Sequence, residues 1–407
     1  MLPRTLDFAA SRDVEFFAAV PAAPAVFLLR GEAGSEPYVS KTANLRRRLL
    51  RLLSAAQPGS RRLNLRGRVC RLEYAPAGSD FESGMLLYTV LRREFPASYA
   101  GRLRWRPAPL VRFILENEYP RATVTTRLLT LRGRSLYYGP FPARAAAEAF
   151  LNDALDFFKL RRCADDLHPD PAFPGCIYSE MKMCLAPCFR GCTGAEYRRE
   201  TGRVQAFLDT AGESLKREVS ARRDQASAAL EFENAAALHA RLEKLSSVLA
   251  RLPGIVRRID QLGGVVVQPS AEPDRVALFR IEAGRLNGPI QFPLQHKSAE
   301  PGAAGKQQSM EARLLDTLAA VAPLAPAPAR ETMEQLAYLK RWYYRISKTG
   351  EIFLANEKNE LPLRRLVRGI ARVFRGEKPA AELTETAHDY RANPGRSTEL
   401  NPEDYKA

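Results

Sequence analysis

The chain has 407 residues, 45% of them hydrophobic, which excludes global disorder and favours several domains over one. Its formal net charge of +16 points to polyanionic partners. The longest apolar run, Phe16 to Leu29, is 14 residues with Pro21 and Pro24 inside it, too short and too broken to cross a bilayer.

Charges at Arg4, Asp7, Arg12 and Asp13 interrupt any early export signal, so a cytoplasmic protein is expected. In that reducing compartment the six cysteines are expected to be free, metal-bound or cluster-bound rather than paired.

In chain order, residues 24–30 and 37–40 read as two short strands around the turn GEAGSE, followed by a basic helix from Ala43 to Leu53. A second helix runs from Phe81 to Glu94. Val111–Leu115, Thr123–Leu131 and Ser135–Tyr138 read as strands, and Ala143 to Leu160 as an amphipathic helix. A cysteine region at 163–192 precedes a stretch from Ala195 to Leu252 that is helical almost throughout, with one helix over Val204–Arg223. Val265–Val267, Val276–Ile281 and Ile290–Leu294 read as strands, and the Ala/Pro/Gly/Ser-rich stretches 298–307 and 322–329 as linkers. A helix at 331–346, a hairpin at 347–355, a helix at 362–375 and a polar tail complete the chain.

The charge is unevenly spread. From Lys41 to Arg71 there are ten basic residues and no acid, and nine of the ten are arginine, whose planar fork suits phosphate. Arg46, Arg47, Arg51, Arg61, Arg62, Arg66 and Arg68 are the candidate DNA-binding residues. The cysteines are as concentrated: Cys163-x12-Cys176-x7-Cys184-x3-Cys188, with Cys192 a further x3 on. Pro187 prevents a plain helix there, so the loop can turn several sulfurs toward one point. Four thiolates suit tetrahedral zinc or an iron–sulfur cluster, and spacing alone leaves both open. Cys70, far off in sequence, is expected in the core.

The segment RRCADD…PGCIYSEMKMCLAPC (161–188) resembles the cysteine region of the UvrC family of nucleotide excision repair proteins. The resemblance implies a [4Fe-4S] cluster, with zinc as the alternative, on Cys163, Cys176, Cys184 and Cys188. LEFENAAALHARLEKL (230–245) resembles the UVR motif and implies UvrB as a partner, with Phe232 as the exposed contact. Within it, Leu230, Ala237, Leu238, Leu242 and Leu245 are expected to form the apolar stripe of a helical hairpin.

Residues 24–100 resemble the GIY-YIG nuclease domain: Ala25-Val26-Phe27 and Tyr38-Val39-Ser40 stand for its strands, and Lys41, Asn44, Leu45 and Arg48 for its helix. The resemblance implies catalytic roles for Tyr38, Lys41 and Arg48 in metal-dependent phosphodiester hydrolysis. It also implies degeneracy, because Phe27, Tyr88 and Ala100 occupy the family's tyrosine, metal-binding glutamate and asparagine positions. A phenol does not replace a carboxylate on a hard cation. Glu82 and Glu94 lie off the face of position 88, and Glu116, in the look-alike ILEN, is expected to be a turn residue.

Residues 274–294 resemble the hairpin that opens a second, RNase H-like nuclease, whose acidic residues find no counterpart; nor does the tandem helix-hairpin-helix pair. His388-Asp389 is expected to be incidental.

The expected fold class is therefore α+β multidomain. A GIY-YIG-like domain at 20–105 and a strand pair with helix at 106–160 lead to a cysteine segment at 161–194. A UVR hairpin at 195–252, a β-rich segment at 253–296, a linker at 297–330 and a helical part at 331–407 follow. The expected function is a truncated UvrC-like repair protein that binds double-stranded, possibly damaged DNA and UvrB, with a degenerate nuclease. The alternative is an active short endonuclease that uses Mg or Mn to make one incision.

Overall fold

The computed structural model describes residues 2–55, 62–131, 133–164, 167–295 and 308–377, and it is an α+β protein with three four-stranded antiparallel sheets. The first unit comprises β1 (Arg4–Asp7), α1 (Asp13–Ala19), β2 (Ala25–Arg30), β3 (Tyr38–Thr42), α2 (Leu45–Leu53), β4 (Arg71–Pro76), α3 (Asp80–Glu94) and α4 (Tyr99–Leu103). Its sheet runs β1-β4-β2-β3. β2 is apolar from Ala25 to Leu29 because both of its faces are covered. Phe27 and Leu29 pack with Leu45, Leu49 and Leu52 of α2, while Val26 and Leu28 pack with Val90 of α3. Asn44 begins α2 by accepting the Arg47 N–H at 2.9 Å, and Ser79 begins α3 by accepting that of Glu82 at 3.0 Å. β4 escapes the sequence reading because its outward positions are charged; Glu73 pairs there with Arg30 at 2.5 Å.

The second unit holds β5 (Leu110–Ile114), β6 (Arg121–Thr125), β7 (Leu136–Gly139), α5 (Arg144–Leu155), α6 (Ile177–Glu180), α7 (Gly194–Asp209), α8 (Glu213–Ala228), α9 (Phe232–Ala250) and β8 (Arg257–Arg258). Its sheet order is β6-β5-β7-β8. The single helix expected over 204–223 is two helices, broken at Gly212. That glycine has φ +93°, and a Cβ on it would lie 2.3 Å from Leu249. α8 and α9 then pair as a hairpin. The buried stripe of α9 is Leu238, Leu242, Leu245 and Val248; Leu230 precedes the helix and is exposed, as is Ala237.

The third unit contains β9 (Gly264–Pro269), β10 (Arg275–Glu282), β11 (Arg285–Pro293), α10 (Met310–Ala319), α11 (Ala329–Tyr343), β12 (Glu351–Leu354) and α12 (Leu363–Phe374), with sheet order β11-β10-β9-β12. Instead of a hairpin at 347–355 there is the single strand β12, which pairs antiparallel with β9. β9, β10 and β11 of the expected β-rich segment and β12 of the expected helical part thus share one sheet. Within the expected linker lies α10, with Leu314 and Leu318 buried against α12 and the sheet. The linker stretch 298–307, Arg61 and the tail with His388 and Asp389 lie outside the described residues.

What joins the first and third units is the second face of α3. Phe81 meets Phe279 at 5.0 Å and Trp342 at 5.1 Å between ring centroids, Tyr88 stacks on Trp105 at 5.3 Å, and Trp105 stacks on Tyr338 at 4.7 Å. The Tyr338 hydroxyl donates to the Phe81 carbonyl at 2.8 Å. Gly84 permits that approach, since a Cβ there would fall 2.1 Å from the same hydroxyl. Phe81→Ala is therefore expected to cost about 3–5 kcal/mol, read as a lower midpoint in urea unfolding. Gly84→Ala is expected to destabilise as well, by forcing Tyr338 off α3.

Candidate nucleic-acid interface and cysteine site

Tyr38 and Arg48 are brought together. β3 presents Tyr38 on the face covered by α2, and the Arg48 guanidinium donates to the Tyr38 hydroxyl at 2.8 Å. Phe27 lies beneath, its ring centroid 6.0 Å from that of Tyr38. Among the described residues, no carboxylate is hydrogen-bonded or ion-paired to either Tyr38 or Arg48. Lys41 is on the other side. Strand alternation places Tyr38 opposite Leu29 and Lys41 opposite Val26, which belong to opposite faces of the sheet. There Lys41 pairs with Asp80, whose other oxygen lies 3.1 Å from Arg345. These two cations hold the Asp80 carboxyl below its ordinary range, although its partial burial works against them.

Tyr88 faces away from the Tyr38–Arg48 pair. It is buried against Trp105 and donates to Glu334 of α11 at 3.0 Å, and Tyr99 donates to the same carboxylate at 2.9 Å. Burial, with Glu334 beside it, pushes the Tyr88 hydroxyl well above the usual phenol range. A carboxylate therefore reaches position 88, from a helix that sequence order gave no reason to place there. Ala100 sits half-buried on α4 in the same core. Glu82 accepts the Gly78 N–H at 2.7 Å, Glu94 pairs with Arg30 at 3.0 Å, and Glu116 accepts the Ser135 hydroxyl at 2.6 Å just past β5. None of these three is joined to the Tyr38–Arg48 pair.

The arginine-rich segment divides in two. Arg47, Arg51, Arg62 and Arg68 are exposed. Arg46 turns inward to the Val20 and Ala18 carbonyls at 2.7 and 3.2 Å. Arg66 binds the Leu53 and Ala10 carbonyls, both at 2.8 Å, and Asp13 at 2.8 Å. Arg46 and Arg66 therefore tie α2 and its following loop to the α1 region.

The cysteine loop is anchored by Arg161, 1% exposed, which donates to the Tyr119 carbonyl at 2.8 Å and approaches the Cys163 sulfur at 3.5 Å. The Ala186 N–H points at the Cys184 sulfur, 3.3 Å away. Left-handed backbone at Lys182, Ala186 and Arg190 turns the chain repeatedly through this region. Burial pushes the Cys184 thiol up to about 11, and the neighbouring sulfurs of Cys163, Cys188 and Cys176 push it the same way. No cysteine is in a disulfide among the described residues, and no three His, Cys, Asp or Glu side chains there stand close enough to hold a single metal ion. Cys192 is half-buried beside α7. Cys70 is exposed rather than in the core, because it precedes β4 and its sulfur lies 3.2 Å from the Gly31 carbonyl.

At the turn between α8 and α9, Leu230 and Phe232 are 70% and 68% exposed, with Leu230 at φ +61°. No helix among the described residues is long and apolar enough to cross a membrane.

Residues 111–209, which carry β5 to β7 of the second sheet, α5, the cysteine loop and α7, match the family model of the UvrC/Cho excinuclease middle domain. The chain is similar to the UvrABC system protein C of Rhodospirillum rubrum, 26% identical over 328 residues, covering 79% of this chain and 50% of that protein. It is also similar to the UvrABC system protein C of Rickettsia bellii, 29% identical over 262 residues, 63% of this chain and 39% of that one. The chain spans half or less of the length of these curated relatives. No solved structure matches it.

Position 88 gives a direct test of the geometry. Tyr88→Phe keeps the ring on Trp105 and loses two hydrogen bonds, the one it donates to Glu334 and the one it accepts from Arg92, an expected cost of about 1–3 kcal/mol. Tyr88→Glu sets a second carboxylate against Glu334 in a buried site and is expected to cost about 3 kcal/mol or more. Because burial and the like charge raise the carboxyl pKa in the folded state, stability is present at low pH and lost as pH rises. The Tyr88→Glu deficit in urea unfolding should therefore shrink on acidification.

Proposed function

We propose, from its place in the UvrC family, that this chain is a nucleotide excision repair protein that grips duplex DNA without cutting it through its first unit. The observation that supports this most is the exposed arginine set Arg47, Arg51, Arg62 and Arg68, drawn from an acid-free segment beside the Arg48–Tyr38 pair. A guanidinium and a phenol at 2.8 Å suit a phosphate oxygen. Hydrolysis needs more: a carboxylate free to anchor a divalent metal. Asp80, on the other side of the sheet, is occupied by Lys41 and Arg345, and Glu334 is occupied by two tyrosines.

In this reading Cys163, Cys176, Cys184 and Cys188 hold a [4Fe-4S] cluster. The donor chemistry fits: four thiols within electrostatic reach of one another, with an N–H aimed at one sulfur and a guanidinium near another. Four thiolates suit such a cluster, and tetrahedral zinc is the alternative on the same four sulfurs. When bound, it would supply a cross-link that adds binding free energy to the folding of the loop. Leu230 and Phe232, exposed at the tip of the α8–α9 hairpin, suit a contact with UvrB.

Binding to duplex DNA should weaken steeply with salt, and Arg47→Gln, Arg51→Gln and Arg68→Gln together should lower the log–log salt slope by roughly 2–3, read by fluorescence anisotropy. Incubation with Mg or Mn should leave the duplex intact. Metal-dependent nicking by the wild type that vanishes in Arg48→Ala would establish the active endonuclease instead. Anaerobically purified protein should contain iron and sulfide at about four each per chain, lost in Cys184→Ala. Colourless protein with one bound zinc would replace the cluster.

A further inference from the structure

A second stretch of the chain is rich in arginine and free of acid. Leu361 to Gly376, sixteen residues containing α12, holds five arginines and no aspartate or glutamate. The apolar side of α12 is fully employed. Leu366, Ile370 and Val373 are buried with Val265, Val267, Phe353 and Leu314. Gly369 lets Phe353 close on the helix, since a Cβ there would sit 2.1 Å from that ring.

Two of the arginines serve the fold. Arg372 forms a fork on the buried Glu351 at 2.7 and 2.9 Å, and Arg375 pairs with Glu377 at 2.5 Å. Arg364, Arg365 and Arg368 remain on the exposed side. Among the described residues no carboxylate pairs with Arg364 or Arg368, and Arg368 reaches only the Arg364 carbonyl at 3.3 Å. Arg364 and Arg368 stand one turn apart, an i,i+4 like-charge pair that weakens a helix taken alone.

We propose that the exposed face of α12, through Arg364, Arg365 and Arg368, is a second surface for the phosphate backbone of duplex DNA. It rests on the reading of the chain as a DNA-binding protein and adds a contact in the third unit, apart from the arginines of the first. A polyanion relieves the repulsion between the guanidiniums, and their planar forks match phosphate oxygens two at a time. A lipid surface fits less well. An amphipathic helix at a membrane must lay its apolar side among the acyl chains, and here that side is inside the protein. The three contacts carry no sequence information, so they should strengthen binding to any duplex alike.

The test uses the full chain and labelled duplex DNA of two unrelated sequences. Arg364→Gln, Arg365→Gln and Arg368→Gln together should weaken binding to both roughly ten- to a hundredfold and reduce the salt slope by about 2–3, and Arg364→Gln with Arg368→Gln should leave the unfolding midpoint unchanged. Arg372→Gln, by stranding Glu351, should instead lower the midpoint, separating a fold role from a binding role. If this triple variant binds like the wild type while the Arg47, Arg51, Arg68 variant is weakened, the inference falls and the DNA-binding reading stands. A wild type that binds no duplex overturns both. Sedimentation of the wild type with phosphatidylglycerol vesicles, lost in the α12 variant while duplex binding persists, would assign the face to lipid and overturn the proposal.

Discussion

The contact between α3 and α11 is the constraint around which the molecule is arranged. One helix serves two cores: Val90 completes the underside of the first sheet, and Phe81, Met85 and Tyr88 enter the central core shared with the third unit. Close approach depends on Gly84, and its direction is set by one hydroxyl that bonds a main-chain carbonyl. The same contact fixes the electrostatics of the candidate site. It brings Arg345 to Asp80, which Lys41 also pairs, and Glu334 to Tyr88 and Tyr99.

Cationic side chains divide into those that hold the fold and those that face water, and sequence does not tell them apart. Arg46, Arg66, Arg161 and Arg372 each satisfy buried carbonyls or a buried acid. Their replacement would strand those partners, which is a folding effect rather than a binding one. Arg47, Arg51, Arg68, Arg364 and Arg368 are exposed instead, and a polyanion can reach them without entering the core.

How much of this was legible beforehand depended on the kind of signal. Helices with one apolar stripe, such as α2 and α12, declare themselves by period. β2 declares itself as a short apolar run between turns. α3 does not reveal which side meets what, because it is apolar on two sides, and so the orientation of Tyr88 was invisible. β4 was masked by Arg71 and Glu73 on its outward positions. α10 was hidden between small-residue stretches that read as linker. The break at Gly212 was missed because a glycine inside a helical pattern is often tolerated, and only the crowding by Leu249 makes it obligatory. The cysteines were found by spacing. Their surroundings were not, since Arg161 is recruited to the Tyr119 carbonyl, 42 residues away in sequence. Cys70 was expected in the core by residue type alone, and its place one residue before a strand put it outside.

The long reach of the α3–α11 contact has a consequence for how the molecule is made. Tyr88 and its partner Glu334 are 246 residues apart, so at ribosomal rates of roughly 5–20 residues per second the first unit waits about 12–50 seconds for its cover. During that interval Phe81, Tyr88 and Trp105 form an uncovered aromatic surface on an otherwise folded, strongly basic piece. Such a nascent chain is sticky in two ways at once, toward other apolar surfaces and toward nucleic acid. The face stays open until α11 arrives and closes it.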